Sequence, residues 1–450
     1  MAQLMISVSG IRGVIGNGFT PAVVEKFVAA FGSWIGGGKV VIGRDTRVTG
    51  EMIEHIVLGT LQAVGCEAVR VGVVPTPTVE YAVETLKARG GIIITASHNP
   101  IQWNALKLIS EAGLFLDEEQ GNAVLEIANR GELCYQPWNK IGSITNYDNA
   151  IRDHMDAILR LPFIDLERIR RRRFRVALDC VNGAGSVFLP EFLEELGCEI
   201  ISLNTTPNGL FPHTPEPVPE NLQQLCTTVK TAKADIGFAC DPDADRLAIV
   251  SETGEPIGEE YTLALAVRFM LSKRPGVVVV NASTTRAVDD IAAEFNSQVI
   301  RTKVGEIHVA KKMKEVKAVI GGEGNGGVIL PDVHLGRDAP VATALTLQHL
   351  LEFGGTISQL HRNLPQYQMI KKKIEIGDSD PEQLLQKIRQ KYQHEKLDEV
   401  DGLKILYPES WVHLRKSNTE PIIRIIAEAR NKEKAASLCD QIIHDIQQKM

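Results

Sequence analysis

Three segments in the first two thirds of the chain repeat one local pattern, and this repeat constrains the fold more than any other feature. Each segment is an apolar strand that runs into Gly and a polar cluster; the three are residues 39–47, 173–185 and 276–286. A helix-like stretch follows each one, as at 287–295, with a hydroxyl available to cap its first turn. Three such segments, each a strand, a polar loop and a helix, predict three α/β domains of similar design.

The end of the chain has a different pattern. Short strands are predicted at 370–376, 403–407, 411–414 and 422–427, with helices over 381–392 and from residue 431. Strands closed by a helix, without a strand–helix–strand repeat, are typical of a small α+β domain. Because 450 residues exceed what one core organises, we expect four domains, at 1–150, 151–253, 254–365 and 366–450.

The loop from Thr95 to Pro100 follows the apolar run at 91–94. Such a run, bounded by Gly and polar residues, predicts a buried strand, and ligands bind where the strands of an α/β sheet end. Pro100 disfavours a helix and keeps the loop open. Ser97 is therefore a candidate nucleophile, and a Ser/Thr turn that closes the strand is the structural alternative.

Three carboxylates alternate in the segment Cys240–Arg246, at Asp241, Asp243 and Asp245. They repel one another unless a cation lies among them, and hard oxygen ligands favour Mg²⁺ or Ca²⁺. An EF-hand would place Glu252 at its twelfth position, but its sixth is Arg246 rather than Gly, and strand-like runs flank the loop. We predict a metal site, with an exposed acidic turn as the alternative.

Two further loops carry candidate ligand-binding residues. Glu323 and Asn325 lie among five glycines at 321–327, where backbone can approach a ligand and the two side chains can bond paired hydroxyls; the alternative is a mobile turn. The stretch 415–421, with Arg424 beyond it, offers the donors of an oxyanion cradle; the alternative there is a capping motif.

Charge and cysteine usage bear on the class of partner and the compartment. The formal net charge of −7 argues against a nucleic-acid partner. Seven scattered cysteines without a C-x-x-C pair fit neither a zinc ribbon nor a disulfide framework and favour a reducing cytosol. The first residues lack the features of a signal peptide, and no uncharged apolar run reaches the ~18 residues of a membrane span. We expect a cytoplasmic protein without a nucleic-acid or membrane partner.

Five motifs, in this order, resemble the α-D-phosphohexomutase superfamily over essentially the whole chain: SGIRG from residue 9, TASHNP from 95 with Lys107 after it, DPDADR from 241, GEGNGG from 322 and RKSNTEPIIR from 415. The resemblance implies four domains around a central cleft, three of them α/β with mixed sheets and the fourth an α+β domain that closes over substrate. It also implies that Ser97 is a phosphoserine and that one Mg²⁺ is bound by its phosphate and by Asp241, Asp243 and Asp245.

The activity implied by the resemblance is reversible transfer between the 1- and 6-positions of a hexose phosphate. Phosphoserine 97 would give a hexose 1,6-bisphosphate, which also serves as activator, and the sugar would then turn over. Family positions near the transferring phosphoryl match Arg12, His98, Lys107 and Arg246, of which His98 or Lys107 could assist proton transfer. Sugar contacts match Glu323 and Asn325, and the loop for the other phosphate matches Arg415, Ser417, Asn418, Thr419 and Arg424.

The chain departs from bacterial phosphomannomutase/phosphoglucomutase members at two positions. Gly327 stands where they have His, and His334 is the candidate substitute. Glu306 also stands where they have His; an acid there, and the T-E-P-x-x-R sequence, resemble phosphoglucosamine mutases. A carboxylate would suit an ammonium-bearing sugar.

We therefore predict an intramolecular phosphotransferase, a phosphoglucosamine mutase, acting as a monomer or homodimer. A phosphomannomutase/phosphoglucomutase is the alternative within the superfamily. A phosphosugar hydrolase with the same acid-rich metal loop is a second enzymatic alternative. A non-catalytic phosphosugar-binding or regulatory protein that kept the fold is an alternative of a different class.

Overall fold

The computed structural model describes residues 4–7, 10–377, 379–417 and 421–449, and these residues form four β-sheets. Two predicted phosphate-loop residues, Asn418 and Thr419, lie outside the described residues. Within them, no helix combines the length and apolar character needed to cross a bilayer.

The first sheet has eight strands in the order β1-β2-β7-β6-β4-β5-β8, with β3 beside β2. Its strands are β1 Leu4–Ser7, β2 Gly10–Ile15, β3 Gly18–Phe19, β4 Gly38–Arg44, β5 Cys66–Val73, β6 Gly90–Ile94, β7 Trp103–Ser110 and β8 Ile144–Asn146. The helices in this part of the chain are α1 Pro21–Ile35, α2 Gly50–Ala63, α3 Thr76–Thr85, α4 Glu118–Arg130 and α5 Ala150–Leu159.

The second and third sheets have four strands each, ordered β10-β9-β11-β12 and β14-β13-β15-β16. The second contains β9 Arg175–Asp179, β10 Glu199–Leu203, β11 Ile236–Cys240 and β12 Leu247–Ser251, with α6 Leu166–Arg172, α7 Leu189–Glu195 and α8 Gln223–Ala232. The third contains β13 Val278–Asn281, β14 Val299–Thr302, β15 Ile320–Glu323 and β16 Gly327–Ile329, with α9 Glu259–Lys273, α10 Ala287–Glu294, α11 Glu306–Val316, α12 Ala339–Phe353 and α13 Ile357–Arg362.

The fourth sheet is antiparallel, in the order β17-β21-β20-β19-β18. Its elements are β17 Gln368–Glu375, α14 Pro381–Lys391, β18 Lys396–Asp398, β19 Leu403–Leu406, β20 Trp411–Lys416, β21 Ile422–Ala429 and α15 Lys432–Gln447. The sequence predicts all of these except β18, which has three residues and no alternation long enough to detect.

One arrangement of four strands occurs three times, as β5-β4-β6-β7, β10-β9-β11-β12 and β14-β13-β15-β16. In each, the first three strands are parallel and the fourth is antiparallel to the third. The loop between the third and fourth strands carries the Ser97 motif, the Asp motif and the glycine-rich motif, respectively. This confirms the predicted fold class of three similar α/β domains with mixed sheets and a C-terminal α+β domain.

Local sequence explains where several of these elements begin and end. The Thr20 side chain caps α1 ahead of Pro21, and Gly36 ends that helix with φ +73°, a left-handed conformation that costs Gly little. Asn431 caps α15 in the same way. Strands β6, β11 and β12 are buried along their whole length, as expected for strands covered on both faces.

Three large apolar clusters form the cores. One continuous cluster extends from Met155 to Tyr367 and joins the second and third sheets, whereas the first and fourth sheets have separate cores. The second and third sheets thus share one core, whereas the units that carry Ser97 and Arg415 have cores of their own. The domain limits at 150, 253 and 365 stay predictions.

Candidate active site

Ser97 lies in the loop between β6 and β7 and is 8% exposed. Its Oγ donates to Oδ2 of Asp241 at 2.8 Å and lies 3.3 Å from Nδ1 of His98. The backbone is left-handed, with φ +47°, which costs a non-Gly residue about 1–3 kcal/mol unless its surroundings hold it there. The hydroxyl is therefore directed at the metal-candidate loop by a constrained backbone.

Arg47, which the sequence analysis did not single out, supplies much of that constraint. Its guanidinium is buried and donates to the carbonyl oxygens of Ser97 and Asn99 at 2.6 Å, Pro100 at 2.9 Å and Trp103 at 3.0 Å. Its Nε lies 3.1 Å from Oδ2 of Asp45. One side chain from the segment that follows β4 thus holds most of the Ser97 loop.

The three aspartates of the loop between β11 and β12 are fully buried, and their ligand oxygens lie within 4.8 Å of one another. Asp243 Oδ2 accepts from Lys107 at 2.6 Å and Thr76 at 2.7 Å, and Asp245 Oδ2 accepts from Arg337 at 2.5 Å. Oδ1 of Asp243 and of Asp245 has no hydrogen-bond partner among the described residues. These two buried oxygens, together with the Asp241 carboxylate, are the kind of oxygen ligands that Mg²⁺ prefers. The residues therefore fit a hard cation.

The pKa values of Asp241 and Asp243 are shifted in opposite directions by their surroundings. Burial, together with the charges of Asp245 and Asp243, raises the pKa of Asp241 well above its ordinary value. Burial also disfavours the charge on Asp243, but Lys107 outweighs it and holds that pKa below the ordinary range. A divalent cation would relieve the repulsion among the three carboxylates.

We expect Mg²⁺ to raise the melting temperature by a few degrees, because a ligand at about 100 times its dissociation constant stabilises the native state by about 2.7 kcal/mol. The Asp243→Asn variant should lose most of this shift, as measured by differential scanning calorimetry with and without Mg²⁺. Asp332→Asn, at a surface ion pair with Arg274, is the control. An equal shift in both variants would mean that Mg²⁺ binds elsewhere.

A cavity of about 240 Å³ adjoins Ser97 and collects the predicted phosphoryl-transfer residues: Arg12, Ser97, His98, Lys107 and Arg246. Arg12 and Lys107 come from the neighbouring strands β2 and β7, where Gly10 pairs with Lys107 and Arg12 with Ala105. Burial and the charge of Arg246 lower the pKa of His98 to about 3, so its imidazole is neutral at pH 7. The ion pair with Asp243 raises the pKa of Lys107 despite its burial, so Lys107 stays charged.

Glu323 and Glu306 line the same cavity. Glu323 accepts from Asn281 and the Gly305 N–H at 2.9 Å and from Arg337 at 2.7 Å, whose charge opposes the effect of burial and lowers the Glu323 pKa. Glu306, at the start of α11, accepts from the Arg337 N–H at 2.9 Å. Both carboxylates are therefore held in fixed orientations at the cavity wall.

Asn325 lines a second, larger cavity of about 870 Å³, which shares His98 and Arg246 with the first. Next to it, Gly324 leaves room for Glu260, because a Cβ at 324 would lie 1.9 Å from the Glu260 carboxylate. Burial raises the pKa of Glu260 to about 8. This half-buried acid beside the loop has no signal in the local sequence.

The far side of the larger cavity is a row of cations from the fourth sheet. Arg415 on β20 pairs with Arg424 on β21, and Arg424 pairs with Lys373 on β17, so three positive side chains share one rung and one face. Like charges directly opposite in a sheet are destabilising, which makes this face an anion-binding candidate. Lys373 and its neighbour Lys371 were not found from the sequence, because their cavity-facing position follows from strand pairing. Ser417, also predicted for this loop, directly follows β20. Its backbone N–H donates to the Ile422 carbonyl oxygen at 3.0 Å.

His334 is not among the described residues that line either cavity, which corrects its role as substitute for a side chain at 327. It is buried, its Nε2 lies 2.9 Å from Oδ2 of Asp338, and the same oxygen lies 2.7 Å from Nε2 of His154. The Gly336 N–H donates to His334 Nδ1 at 3.0 Å, so a neutral His334 carries its proton on Nε2 and donates it to Asp338. These contacts form a structural network behind the cavity.

Known proteins match this chain over nearly its whole length. Residues 4–133, 152–254 and 258–367 match alpha/beta/alpha domains I, II and III of phosphoglucomutase/phosphomannomutase, and residues 373–444 match its C-terminal domain. The chain is 38% identical to a probable phosphoglucosamine mutase of Methanopyrus kandleri, covering 97% of this chain and 96% of that one. It is 39% identical to a phosphoglucomutase/phosphomannomutase of Thermococcus kodakarensis, covering 95% and 94%. A crystal structure of a phosphoglucomutase/phosphomannomutase family protein from Burkholderia thailandensis superposes with a TM-score of 0.86 at 28% identity, covering 98% of each chain.

Proposed function

This chain belongs to the phosphoglucomutase/phosphomannomutase family, and we propose that it interconverts glucosamine 6-phosphate and glucosamine 1-phosphate. The observation that carries the proposal is the position of the Ser97 hydroxyl, 2.8 Å from Asp241. The cavity next to it shares His98 and Arg246 with the larger cavity, which the cationic row lines. A sugar with a phosphate at each end would fit these two places. One phosphate would lie at Ser97 and the other at Arg415, Arg424 and Lys373.

In the proposed reaction, the phosphate on Ser97 passes to the free hydroxyl of the sugar. The bond between phosphorus and Ser97 Oγ breaks, a bond between phosphorus and the sugar oxygen forms, and the proton of the sugar hydroxyl ends on Ser97 Oγ. His98 Nδ1 lies 3.3 Å from Oγ and is placed to pass this proton to Ser97. Lys107 is charged and held by Asp243, so it suits stabilisation of the phosphoryl oxygens.

Mg²⁺ held by Asp241, Asp243, Asp245 and the phosphate of Ser97 would neutralise negative charge on the transferring group. The chain's own cations, Arg12 and Arg246, line the same cavity and add positive charge around the transferring group. After the sugar bisphosphate turns over, its second phosphate returns to Ser97, and the cationic row binds the phosphate that does not react. The same residues thus serve both halves of the cycle.

The amino sugar is proposed because Glu306 places a carboxylate on the wall of the reaction cavity, where it can accept from an ammonium group. Relatives named probable phosphoglucosamine mutase support this choice. One observation favours a neutral hexose instead: Glu306 already faces Arg337, whose Nε lies 3.0 Å from Oε2. Glucose or mannose phosphate is therefore the second candidate substrate.

The test is turnover of glucosamine, glucose and mannose 6-phosphates in parallel, with Mg²⁺ and a trace of the matching bisphosphate. We expect the highest kcat/KM for glucosamine 6-phosphate. Glu306→Gln should lower that value about 10-fold or more and spare the neutral sugars, since a buried polar site discriminates strongly against a mismatched partner. Glu315→Gln, at the exposed end of the same helix, is the control.

Each other outcome assigns a different function. Preference for glucose or mannose phosphate, unchanged in Glu306→Gln, would make the chain a phosphoglucomutase/phosphomannomutase. Steady release of inorganic phosphate would indicate a hydrolase. Binding of sugar phosphates without turnover by protein that carries no phosphate on Ser97 would indicate a binding protein.

A further inference from the structure

Arg337 joins three parts of the site that are far apart in sequence. It is 8% exposed, and its guanidinium donates to Asp245 Oδ2 at 2.5 Å and to Glu323 Oε2 at 2.7 Å. Its Nε lies 3.0 Å from Oε2 of Glu306. One planar cation therefore contacts a metal-candidate carboxylate, the carboxylate of the glycine-rich loop and the acid at the start of α11.

The side chain of Arg337 also fills the space that a side chain at position 327 would take. A Cβ built on Gly327 would lie 2.3 Å from Cδ and 2.9 Å from Cγ of Arg337, closer than real Cβ contacts allow. The glycine at 327 is thus explained by what passes over it. The group that takes this space is ten residues further along the chain, and it is not His334.

Arg337 is placed by a rigid support. It precedes Asp338, which caps α12 through the Val341 N–H at 2.9 Å and accepts from His334 and His154. A fork of fixed N–H groups is suited to hold two carboxylates at once, whereas an ammonium group is a point charge. The backbone therefore presents the guanidinium to Asp245 and Glu323 from a fixed origin.

We propose that Arg337 is a positioning residue that takes the place of a side chain at 327. It holds the carboxylates of Asp245 and Glu323 in a fixed relative position, so that the metal ligand and the sugar-binding residue are aligned. This proposal rests on the mutase function proposed above. It assigns Arg337 no proton transfer and no direct contact with the reacting atoms.

The experiment has two parts, the first independent of activity. Melting temperatures are measured for the wild type, Gly327→Ala, Arg337→Ala and the double variant. We expect Gly327→Ala to lower the melting temperature by several degrees, as overpacking does, and to have less than about a third of that effect when Arg337 is Ala, because coupled neighbours are not additive. Equal effects in both backgrounds would overturn the proposed occupation of the site.

The second part compares Arg337→Lys with Arg268→Lys, a surface arginine of α9 paired with Glu294. Arg337→Lys keeps the charge and loses the fork, so we expect a rise in sugar-phosphate KM and a fall in kcat/KM of about 100-fold, with the Mg²⁺-induced shift in melting temperature retained. Kinetic constants within about twofold of Arg268→Lys would overturn the positioning role. If the wild type itself had no mutase turnover, the mutase function would fail, while the melting-temperature cycle would still decide whether Arg337 fills the space at 327.

Discussion

Replacing Ser97 by alanine is expected to lower the rate of phosphosugar interconversion about 10⁴-fold or more, since removal of a nucleophile leaves only the contribution of binding and charge stabilisation. The variant should also carry no phosphate at position 97, as measured by intact-protein mass spectrometry. Ser97→Gly should lose activity equally, although it relieves the left-handed backbone at φ +47°. Agreement between the two variants would assign the loss to the hydroxyl rather than to the strained backbone.

The matched control is Ser110→Ala. Ser110 is buried at the end of β7, and its hydroxyl donates to the Leu114 carbonyl at 3.0 Å, away from the aspartates. It should keep turnover within about twofold of the wild type, because it removes one ordinary hydrogen bond worth about 1 kcal/mol of stability. Substantial turnover by Ser97→Ala, or a phosphate found on another residue, would contradict the nucleophile assignment.

The fold was predictable from the sequence to the level of repeated units, because apolar strands that end in Gly and polar clusters have a local signature. The pattern at 39–47, 173–185 and 276–286 marks β4, β9 and β13, which come first in the chain and second in the sheet order of each four-strand arrangement. It does not reveal that each reactive loop joins the third and fourth strands, since strand order depends on pairing between distant segments. That order explains why three different motifs converge on one cleft.

The candidate site was predictable where residues of one kind cluster in sequence, as in Asp241, Asp243 and Asp245. Single residues whose partners lie far away in the sequence were not predicted. Arg47 contacts carbonyls about fifty positions away, and Lys373 enters the cationic row only through its pairing with Arg424. No local pattern distinguishes such residues from ordinary surface cations.

At position 327, a side chain that is missing from the sequence is replaced in the structure by a residue from another segment. From the sequence, Gly327 reads as a missing side chain, and His334 as the nearest imidazole to replace it. The structure places Arg337 across the glycine and directs His334 to Asp338. Only the packing of the two segments links a glycine in β16 with an arginine before α12.

Replacing Arg47 by methionine is expected to cost about 3–5 kcal/mol of stability, the range for breaking a buried ion pair. Methionine fills much of the same space, but it leaves Asp45 without its cation and the loop carbonyls of Ser97, Asn99 and Pro100 without a donor. Calorimetry should show an earlier unfolding transition. Amide hydrogen exchange should increase in the loop 95–103, because the guanidinium no longer joins the loop to β4. Turnover should fall about 100-fold, since a misplaced reactive group loses alignment steeply.

Arg44→Met is the matched control, because Arg44 is the last residue of β4, three positions before Arg47, and pairs with the buried carboxylate of Glu54 at 3.3 Å. Because Glu54 keeps Arg70 as a second cation at 2.7 Å, Arg44→Met leaves no buried carboxylate without a partner. It should therefore cost less stability than Arg47→Met and leave exchange in the Ser97 loop unchanged. If Arg47→Met matched Arg44→Met in stability, exchange and turnover, the left-handed Ser97 would have to be held by Thr95 and the chain itself. If it lost stability but kept turnover, the clamp would support the fold without orienting the hydroxyl. The expected result, a joint loss of order and of turnover, follows from one guanidinium holding the loop that carries the nucleophile.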